Sequence, residues 1–328
     1  MESFLFALNA VAPIVITVAL GYILKRIGFF NDTFAKMGNK LVFRVLLPVM
    51  LFLNVYKIDD LSRVSPGYIV YSVVSVLLLF ALALPLILKV TKRPGGRGSL
   101  LQAVFRSNYA LIGLPLAQSL AGDVGVAAAS LLSAVSIPVF NILAVIALSI
   151  FREGGERPSV KKILLEIVKN PLIIGVAAGV AALGVRALFV QWGVEVRLTD
   201  IKPVYKVMES LSAMATPLAL IVLGAQFEFS AVVSLKKEII FGTVMRTVVV
   251  PFLGLGVAYL FFRDFFTAAH FATFIALFAT PVAVSSVPMA QEMDSDATLA
   301  GQLVVWTTLV SAFSVFFATL LLRLAEVF

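Results

Sequence analysis

Most of the chain is divided into apolar segments of about 20 residues, the length that an α-helix needs to cross the hydrocarbon core of a bilayer. Because a spanning backbone must satisfy its own hydrogen bonds, ten such segments predict an all-α transmembrane protein of ten helices. The weaker segments are those interrupted by a charged or amide side chain. The clear segments are 4–24, 66–88, 124–151, 239–262, 271–291 and 297–322, and the weaker ones are 41–56, 101–121, 170–190 and 208–227.

The charge content agrees with a bilayer as the solvent. Charged residues make up 13% of the chain and hydrophobic residues 61%, whereas a soluble domain carries about 25% charged residues. The net charge of +8 would suggest nucleic acid in a soluble protein, but here it indicates loops that face anionic lipid. The chain has no cysteine and no catalytic constellation, so we expect no enzyme, no cofactor, no metal site and no nucleic-acid partner.

The distribution of Lys and Arg predicts the orientation. No Lys or Arg precedes the first segment, and Lys25 and Arg26 end it, which is typical of a retained span stopped at the inner face. The loops on that side hold more Lys and Arg than the opposite loops, although 186–206 is positive on the wrong side. The sequence therefore predicts a cell membrane protein, in the inner membrane of a Gram-negative cell, with both termini outside.

A similar sequence motif occurs once in each half of the chain. PLAQSLAGD from Pro115 and PMAQEMDSD from Pro288 share Pro, Ala, Gln and Asp at the same offsets. Other segments of the first half also recur in order in the second. Five spans per half is an odd number, so the second copy enters the membrane from the opposite side, as in the inverted repeats of secondary transporters. We expect repeats at 1–151 and 170–328, joined by a cytoplasmic linker at 152–169.

The repeated prolines predict interruptions in spans four and nine. A proline inside a helix removes a backbone hydrogen bond and costs about 3 kcal/mol. Gly113 weakens the turn before Pro115, and Ser285 and Ser286 weaken the turn before Pro288. We expect breaks at 112–115 and 285–288 that cross near mid-membrane and aim half-helix N–H groups into one cavity. The alternative is that both prolines are ordinary transmembrane kinks.

Several motifs, in this order and spacing, resemble the auxin efflux carrier family of PIN-like membrane transporters over essentially the whole chain. They are KLVFRVLLPVMLF (40–52), SNYALIGLPLAQSLAG (107–122), KNPLIIGVAAGV (169–180), ATPLALIVLGAQF (215–227), RTVVVPFL (246–253) and TPVAVSSVPMA (280–290).

The resemblance implies ten helices in two inverted five-helix repeats, a fold similar to that of sodium/proton antiporters and bile-acid symporters. Spans one, two, six and seven would form a scaffold, and spans three to five and eight to ten would form a crossover transport domain. It also implies a small organic anion as substrate, either an auxin-like aromatic acid or a malonate- or malate-type carboxylate. A homodimer through the scaffold is implied as well.

The same resemblance suggests binding residues. Asn108 begins the family's N-x-x-x-x-G-x-P pattern, which makes it the expected contact for a substrate carboxylate. Pro281 and Pro288 lie farther apart than the corresponding prolines of plant members, so Ser285 and Ser286 are the candidates from span nine. The expected substrate-binding residues are Asn108, Ile112, Gly113, Pro115, Gln118, Ser285, Ser286, Pro288 and Gln291, and the expected crossover prolines are Pro115, Pro281 and Pro288.

Other polar residues of the spans leave alternatives open. Arg246 either supports the substrate's charge or braces the crossover, or else it bonds helix-end carbonyls or extends to the interface. We expect Arg106 and Arg44 to extend to the inner interface. Asn54 and Asn141 are explained by hydrogen bonds between helices. Gln118 and Gln291 either satisfy freed backbone groups or line the cavity.

The sequence predicts a secondary transporter that exports a small organic anion by alternating access, with apolar walls that include Leu47, Val49 and Leu220. A sodium-coupled importer of the bile-acid-symporter type is an alternative, disfavoured because no Asp lies deep in a span. A non-transporting membrane receptor is the second alternative.

Overall fold

The computed structural model describes residues 2–57, 66–152, 159–193 and 196–328, and within the first helix it describes the side chains of Asn9 and of Ala12 onward. Across these ranges the secondary structure is helical, and the single β-type pairing joins Ser107 to Val282. The prediction of an all-helical protein is confirmed.

The helices are numbered in chain order. They are α1 Glu2–Arg26, α2 Asp32–Leu41, α3 Leu47–Tyr56, α4 Pro66–Val90, α5 Pro94–Phe105, α6 Leu114–Ile150, α7 Val160–Lys169, α8 Pro171–Gln191, α9 Lys202–Ala225, α10 Ser230–Ser234, α11 Lys236–Val244, α12 Val250–Phe262, α13 Ala268–Phe278, α14 Ser286–Glu292 and α15 Ala297–Leu324. Three π-helical turns lie at Val42–Leu46, Tyr109–Gly113 and Met245–Val249, and a 3₁₀ turn lies at Leu198–Asp200.

Within the described residues, seven helical stretches are long and apolar enough to cross a membrane. They are Asp32–Tyr56, Pro66–Val90, Tyr109–Ile150, Pro171–Gln191, Lys202–Ala225, Lys236–Phe262 and Ala297–Leu324. Helix α1 covers the predicted segment 4–24. The predicted segments 101–121 and 271–291 do not form continuous helices, because each is divided between two helices separated by extended backbone. The layout of ten spans in two inverted repeats stays a prediction.

Each π-helical turn ends two residues before a proline, at Pro48, Pro115 and Pro251. A proline ring clashes with the carbonyl of the residue four positions earlier and donates no hydrogen bond. Widening the preceding turn to i→i+5 bonds accommodates the ring without ending the helix. These three prolines therefore reshape their helices locally, which is a more specific effect than a kink.

The segment predicted to link the two halves includes a helix. The predicted linker 152–169 contains α7, whose residues have an amphipathic pattern, while residues 153–158 lie outside the described part of the chain. A further bend lies inside α6, where Ala121 and Gly122 have non-helical backbone angles and Gly122 has φ of +57°. Glycine adopts that conformation at little cost.

The helices form two groups, which contact each other where α1 packs against α15. The wall group contains α1, α3, α8 and α9, with α3 against both α8 and α9 and α1 against α9. Two glycines allow the close approach of α1 and α9, since a Cβ on Gly21 would lie 2.1 Å from the carbonyl oxygen of Ile221 and one on Gly224 would lie 2.0 Å from that of Val18. The broken-helix group contains α5, α6, α13, α14 and α15, with α13 against α6 and α15 against α5 and α14.

Candidate functional site

Two interrupted helices meet in the broken-helix group. We call the paired segments 106–108 and 279–285 the crossing. The first interruption, at 106–108, separates α5 from the π-helical turn that leads into α6, and the second, at 279–285, separates α13 from α14. The backbone N–H of Asn108 donates to the carbonyl of Pro281 at 2.8 Å, and that of Ala283 donates to the carbonyl of Arg106 at 3.3 Å. The extended segments thus satisfy each other's backbone groups, which is required where no water is available.

The interruptions lie earlier in the chain than the expected breaks at 112–115 and 285–288. Pro115 lies in the first turn of α6 and Pro288 lies in the first turn of α14. Proline is tolerated at Pro288 because the N–H groups of a first helical turn have no intrahelical acceptor, whereas Pro115 follows the π-helical turn Tyr109–Gly113, which accommodates its ring. Each repeated proline therefore lies within about two turns after an interruption. Pro281 lies inside the second interruption itself.

A cavity of about 610 Å³ lies between the wall group and the paired interruptions. Its apolar lining includes Leu47 and Leu220, as expected, whereas Val49 is not part of the lining. Its polar lining comes from the two interruptions, from Asn141 of α6 and from the wall group. The hydroxyl, amide and charged side chains, tyrosine apart, are Thr17, Asn54, Arg106, Ser107, Asn108, Asn141, Ser212, Thr216 and Ser285.

Arg106 is buried in the wall of this cavity. Its side chain is held by neutral groups, and the residue is 3% exposed. Its guanidinium donates to Asn141 Oδ1 at 2.7 Å, to Gln102 Oε1 at 2.8 Å, to Ser285 Oγ at 3.0 Å and to Met289 Sδ at 3.1 Å. The expectation that Arg106 extends to the interface is wrong, because the interruption folds its backbone into the crossing.

The guanidinium of Arg106 is a cation without a counter-ion in the described part of the chain. Among the described residues that line the cavity, it is the one Lys, Arg, Asp or Glu. A buried charge is costly unless it is paired, and neutral hydrogen-bond acceptors offset that cost only in part. An intramembrane ionisable group of this kind marks a binding or transport site. The cavity is therefore suited to an anion.

Asn108 lies beside Arg106 and has an unused donor. The residue is 7% exposed and lines the cavity, and its Nδ2 is buried without a hydrogen-bond partner. Ser107 Oγ is also buried and unpartnered in the same segment. A buried polar group that lacks a partner is unfavourable, and a ligand acceptor would remove that cost. Guanidinium and amide donors together match the oxygens of a carboxylate.

The structure places the other predicted residues differently. Ile112 and Ser285 line the cavity with Asn108, whereas Gly113, Pro115, Ser286 and Pro288 are not among its lining residues. A Cβ on Gly113 would lie 3.1 Å from that of Ala276, so this glycine permits the close packing of the broken helices. Gln118 is exposed, and Ser286 is buried with an unpartnered Oγ.

Arg246 braces the crossing from outside the cavity. It is 1% exposed, and its guanidinium donates to the carbonyl oxygens of Leu277 and Thr280 at 2.7 Å each and to that of Val104 at 3.1 Å. These carbonyls belong to the C-terminal ends of α5 and α13, where the helix dipole places partial negative charge. Of the alternatives for Arg246, the contacts favour a brace on helix-end carbonyls, and it does not line the cavity.

A second cavity of about 680 Å³ lies farther along the same helices. Residues 13–17 of α1 line the first cavity and residues 22–26 line the second, and α9 contributes to both in the same order. Between the cavities, α1 and α9 are in close contact at Gly21 and Gly224. Ser285 faces the first cavity, while Val287 and Gln291 face the second, so α14 begins at the boundary between them.

Three polar contacts join α14 to residues outside the broken-helix group. Arg44 Nη2 lies 3.0 Å from Glu292 Oε2, Gln226 Nε2 donates to Gln291 Oε1 at 3.2 Å, and Asn39 Nδ2 donates to the carbonyl of Pro288 at 3.5 Å. We call these contacts the α14 latch. Gln291, predicted to line the binding cavity or to satisfy freed backbone groups, instead belongs to this latch and to the second cavity.

Sequence reasoning missed Arg106 and Asn141 as parts of the site. A signal for Arg106 was present, because it directly precedes the motif that contains Asn108. Asn141 was assigned a hydrogen bond between helices, and it does bond Arg106 across the group, but it also lines the cavity.

Comparisons with known proteins identify the family of this chain. The model of a family described as membrane transport protein matches residues 6–319. A protein of Methanothermobacter thermautotrophicus described as an uncharacterized transporter is 23% identical over 313 residues, which cover 95% of this chain and 97% of that protein. The chain is a membrane transporter and not an enzyme, and it belongs to the membrane transport protein family, the family of the PIN-like auxin efflux carriers.

Proposed function

We propose that the protein is a secondary transporter that moves a small organic anion between the two cavities by alternating access. The observation that carries this proposal is Arg106, a buried cation with neutral partners in the wall of the first cavity. Its guanidinium and the free Nδ2 of Asn108 hold the carboxylate. Leu47, Leu220 and neighbouring apolar side chains enclose the rest of the molecule.

The lining favours a substrate with one carboxylate over one with two. Arg106 is the single cation among the described lining residues, so a malonate- or malate-type anion would place its second carboxylate among neutral or apolar groups. An auxin-like aromatic acid or a short aliphatic monocarboxylate presents one charge and an apolar body. The polar cluster and the apolar wall of the cavity match those two parts.

Two inverted five-helix repeats would account for the paired interruptions. Pro115 and Pro288 both follow an interruption within about two helical turns, and the two interruptions pair in antiparallel directions. In this proposal the repeats are 1–151 and 170–328, spans one, two, six and seven form the scaffold, and the remaining spans form the crossover domain. Export, a homodimer through the scaffold and termini on the outside of the cell membrane belong to the same proposal.

Alternating access assigns a role to the α14 latch. Helix α14 begins at the boundary between the cavities, and its contacts with Asn39, Arg44 and Gln226 hold the broken-helix group against α2, the turn before α3 and the end of α9. Passage of the anion from the first cavity to the second requires these contacts to break and the two groups to move apart. During this movement the anion would stay bound to Arg106, which moves together with the broken-helix group.

A sodium-coupled importer of the bile-acid-symporter type is the alternative transporter. A coupling cation near the crossing would use backbone carbonyls at the ends of broken helices. Here the carbonyls of Val104, Leu277 and Thr280 already accept hydrogen bonds from Arg246. This contact supports transport without a sodium ion at that position. A non-transporting receptor gains no support from two cavities that follow the same helices.

Purified protein in liposomes tests the substrate class. We expect monocarboxylates such as indole-3-acetate and benzoate to be bound and transported, their neutral amides to be inactive, and malonate and malate to be weak. Uptake is measured with and without sodium at fixed ionic strength. Equal activity of acids and amides would contradict anion recognition, and a strict sodium requirement would support the importer instead.

The α14 latch supplies a second test on the same liposomes. The chain has no cysteine, so Gln226→Cys with Gln291→Cys introduces the only thiols. A short, reducible bifunctional thiol reagent would bridge the two positions, because side chains that meet at their ends are too far apart for a direct disulfide. We expect the bridge to stop transport but not binding, and a reductant to restore transport. Unchanged transport in the bridged protein would contradict movement at this interface.

A further inference from the structure

Helix α7 lies where two membrane-spanning helices end. It follows α6 closely, precedes α8 directly and packs against both. Its ten residues give a length of about 15 Å, which is about half of the hydrocarbon thickness of a bilayer. The helix therefore lies at the membrane surface and does not cross it.

One side of α7 packs against the rest of the protein and is hydrogen-bonded to it. Glu166 accepts hydrogen bonds from Ser149 Oγ at 2.5 Å and from Arg152 Nη1 at 3.1 Å. Ile163 and Ile167 are partly buried next to it. Glu166 is the one acidic residue of this helix, and these contacts turn its charge inward.

The opposite side combines an apolar stripe with unpaired cations. Val160, Leu164 and Val168 recur every fourth residue, so they align along the helix, and they are 74%, 57% and 68% exposed. Lys161 borders this stripe, while Lys162 and Lys169 lie farther round the helix toward Glu166, and within the described residues no ion pair joins a carboxylate to any of the three. We call this surface the α7 lipid face.

We propose that the α7 lipid face binds anionic phospholipid. The apolar stripe enters the boundary between headgroups and acyl chains, and the lysines contact the phosphates, as in other interfacial amphipathic helices. Lipid is favoured over a second copy of the chain or an acidic peptide because the surface lies at the ends of spanning helices, which lipid surrounds. The charges that it presents are also all positive.

The lipid contact reaches the broken-helix group through Arg152. The same guanidinium that bonds Glu166 donates from Nε to the carbonyl of Met293 at 3.4 Å, directly after α14. Anionic lipid at α7 thus acts next to the helix that carries the latch. This consequence is independent of which anion is transported.

A single fluorescent label tests the proposal, because the chain has no cysteine of its own. Val168→Cys is labelled with an environment-sensitive dye, and the full-length protein is placed in nanodiscs that contain a minority of phosphatidylglycerol in phosphatidylcholine. A nitroxide on the upper acyl chain of one lipid or the other quenches the dye. We expect quenching by both lipids, with a preference of about fivefold for the anionic one.

The matched label is Val180→Cys, an exposed apolar position inside α8. We expect it to be quenched without preference. In the Val168→Cys protein, Lys161→Gln with Lys162→Gln and Lys169→Gln should abolish the preference, and Lys→Arg at the same positions should keep it. A label that stays unquenched, no preference in the parent protein, or a preference that survives the glutamines would each overturn the proposal.

Discussion

The two buried arginines of the crossing, Arg106 and Arg246, differ in their partners and not in their burial. Arg106 bonds neutral side chains and lines a cavity, while Arg246 bonds three backbone carbonyls and lines none. Backbone carbonyls at helix ends are fixed and carry the partial negative charge of the helix dipole, which offsets part of the charge of Arg246. Arg106 makes four hydrogen bonds, but its side-chain acceptors are neutral and lie at no helix end that would supply such a charge. Both arginines lie deep in the membrane, so depth alone does not tell their roles apart. The type of hydrogen-bond partner distinguishes a cation that binds a ligand from one that stabilises the fold.

The largest expected effect comes from Arg246→Gln. Removing the guanidinium leaves the carbonyls of Val104, Leu277 and Thr280 without their donor, at a cost of roughly 2–5 kcal/mol. We expect the thermal unfolding midpoint in detergent to fall by about 5–15 °C. Lys89→Gln, at an exposed position near the end of α4, is the control and should leave the midpoint unchanged. If Arg246→Gln kept the parent's unfolding midpoint but lost anion binding, Arg246 would be the residue that binds the anion, and the roles assigned to the two arginines would be wrong.

Arg106→Gln should show the opposite pattern. The change removes the desolvation cost of a buried cation but leaves the oxygens of Asn141 and Gln102 without their donor, so the two effects oppose each other and we expect the unfolding midpoint to change much less than in Arg246→Gln. Affinity for a monocarboxylate should fall roughly tenfold to a hundredfold, because hydrogen bonds to charged groups contribute about 1.5–3 kcal/mol. Calorimetric titration measures the affinity. Unchanged affinity would exclude Arg106 as the anion's partner and would remove the main support for the proposed transport.

The sequence could identify which helices break but not where they break. The repeated motif predicted interruptions around Pro115 and Pro288, and in the structure both prolines follow an interruption. The position of each interruption depends on a partner strand far away in the chain, since the freed N–H of Asn108 finds the carbonyl of Pro281. A local pattern cannot contain that information, because proline is compatible with the first turn of a helix as well as with a break.

The role of Arg106 escaped prediction for a related reason. Counting residues from the inner face places Arg106 within reach of the interface if the helix is continuous. The interruption at 106–108 directs its side chain into the crossing instead, where it meets Asn141 and Ser285. Asn108 was found through the resemblance to the family, whose N-x-x-x-x-G-x-P pattern it begins. The resemblance identified the amide, and only the fold identified the cation beside it.

The smallest expected effect separates the two donors of the binding cluster. Asn108→Ala removes an Nδ2 that has no protein partner and keeps the backbone bond to Pro281, so we expect no loss of stability. Monocarboxylate affinity should fall by about tenfold, the lower end of the effect of one hydrogen bond to a charged group. Asn108→Asp is the informative companion variant, since it keeps the size but places a carboxylate beside Arg106. We expect that carboxylate to compete with the anion and to weaken binding more than alanine does. If both variants bind as tightly as the parent protein while Arg106→Gln does not, then Arg106 alone recognises the anion, and the unpartnered amide of Asn108 serves another purpose.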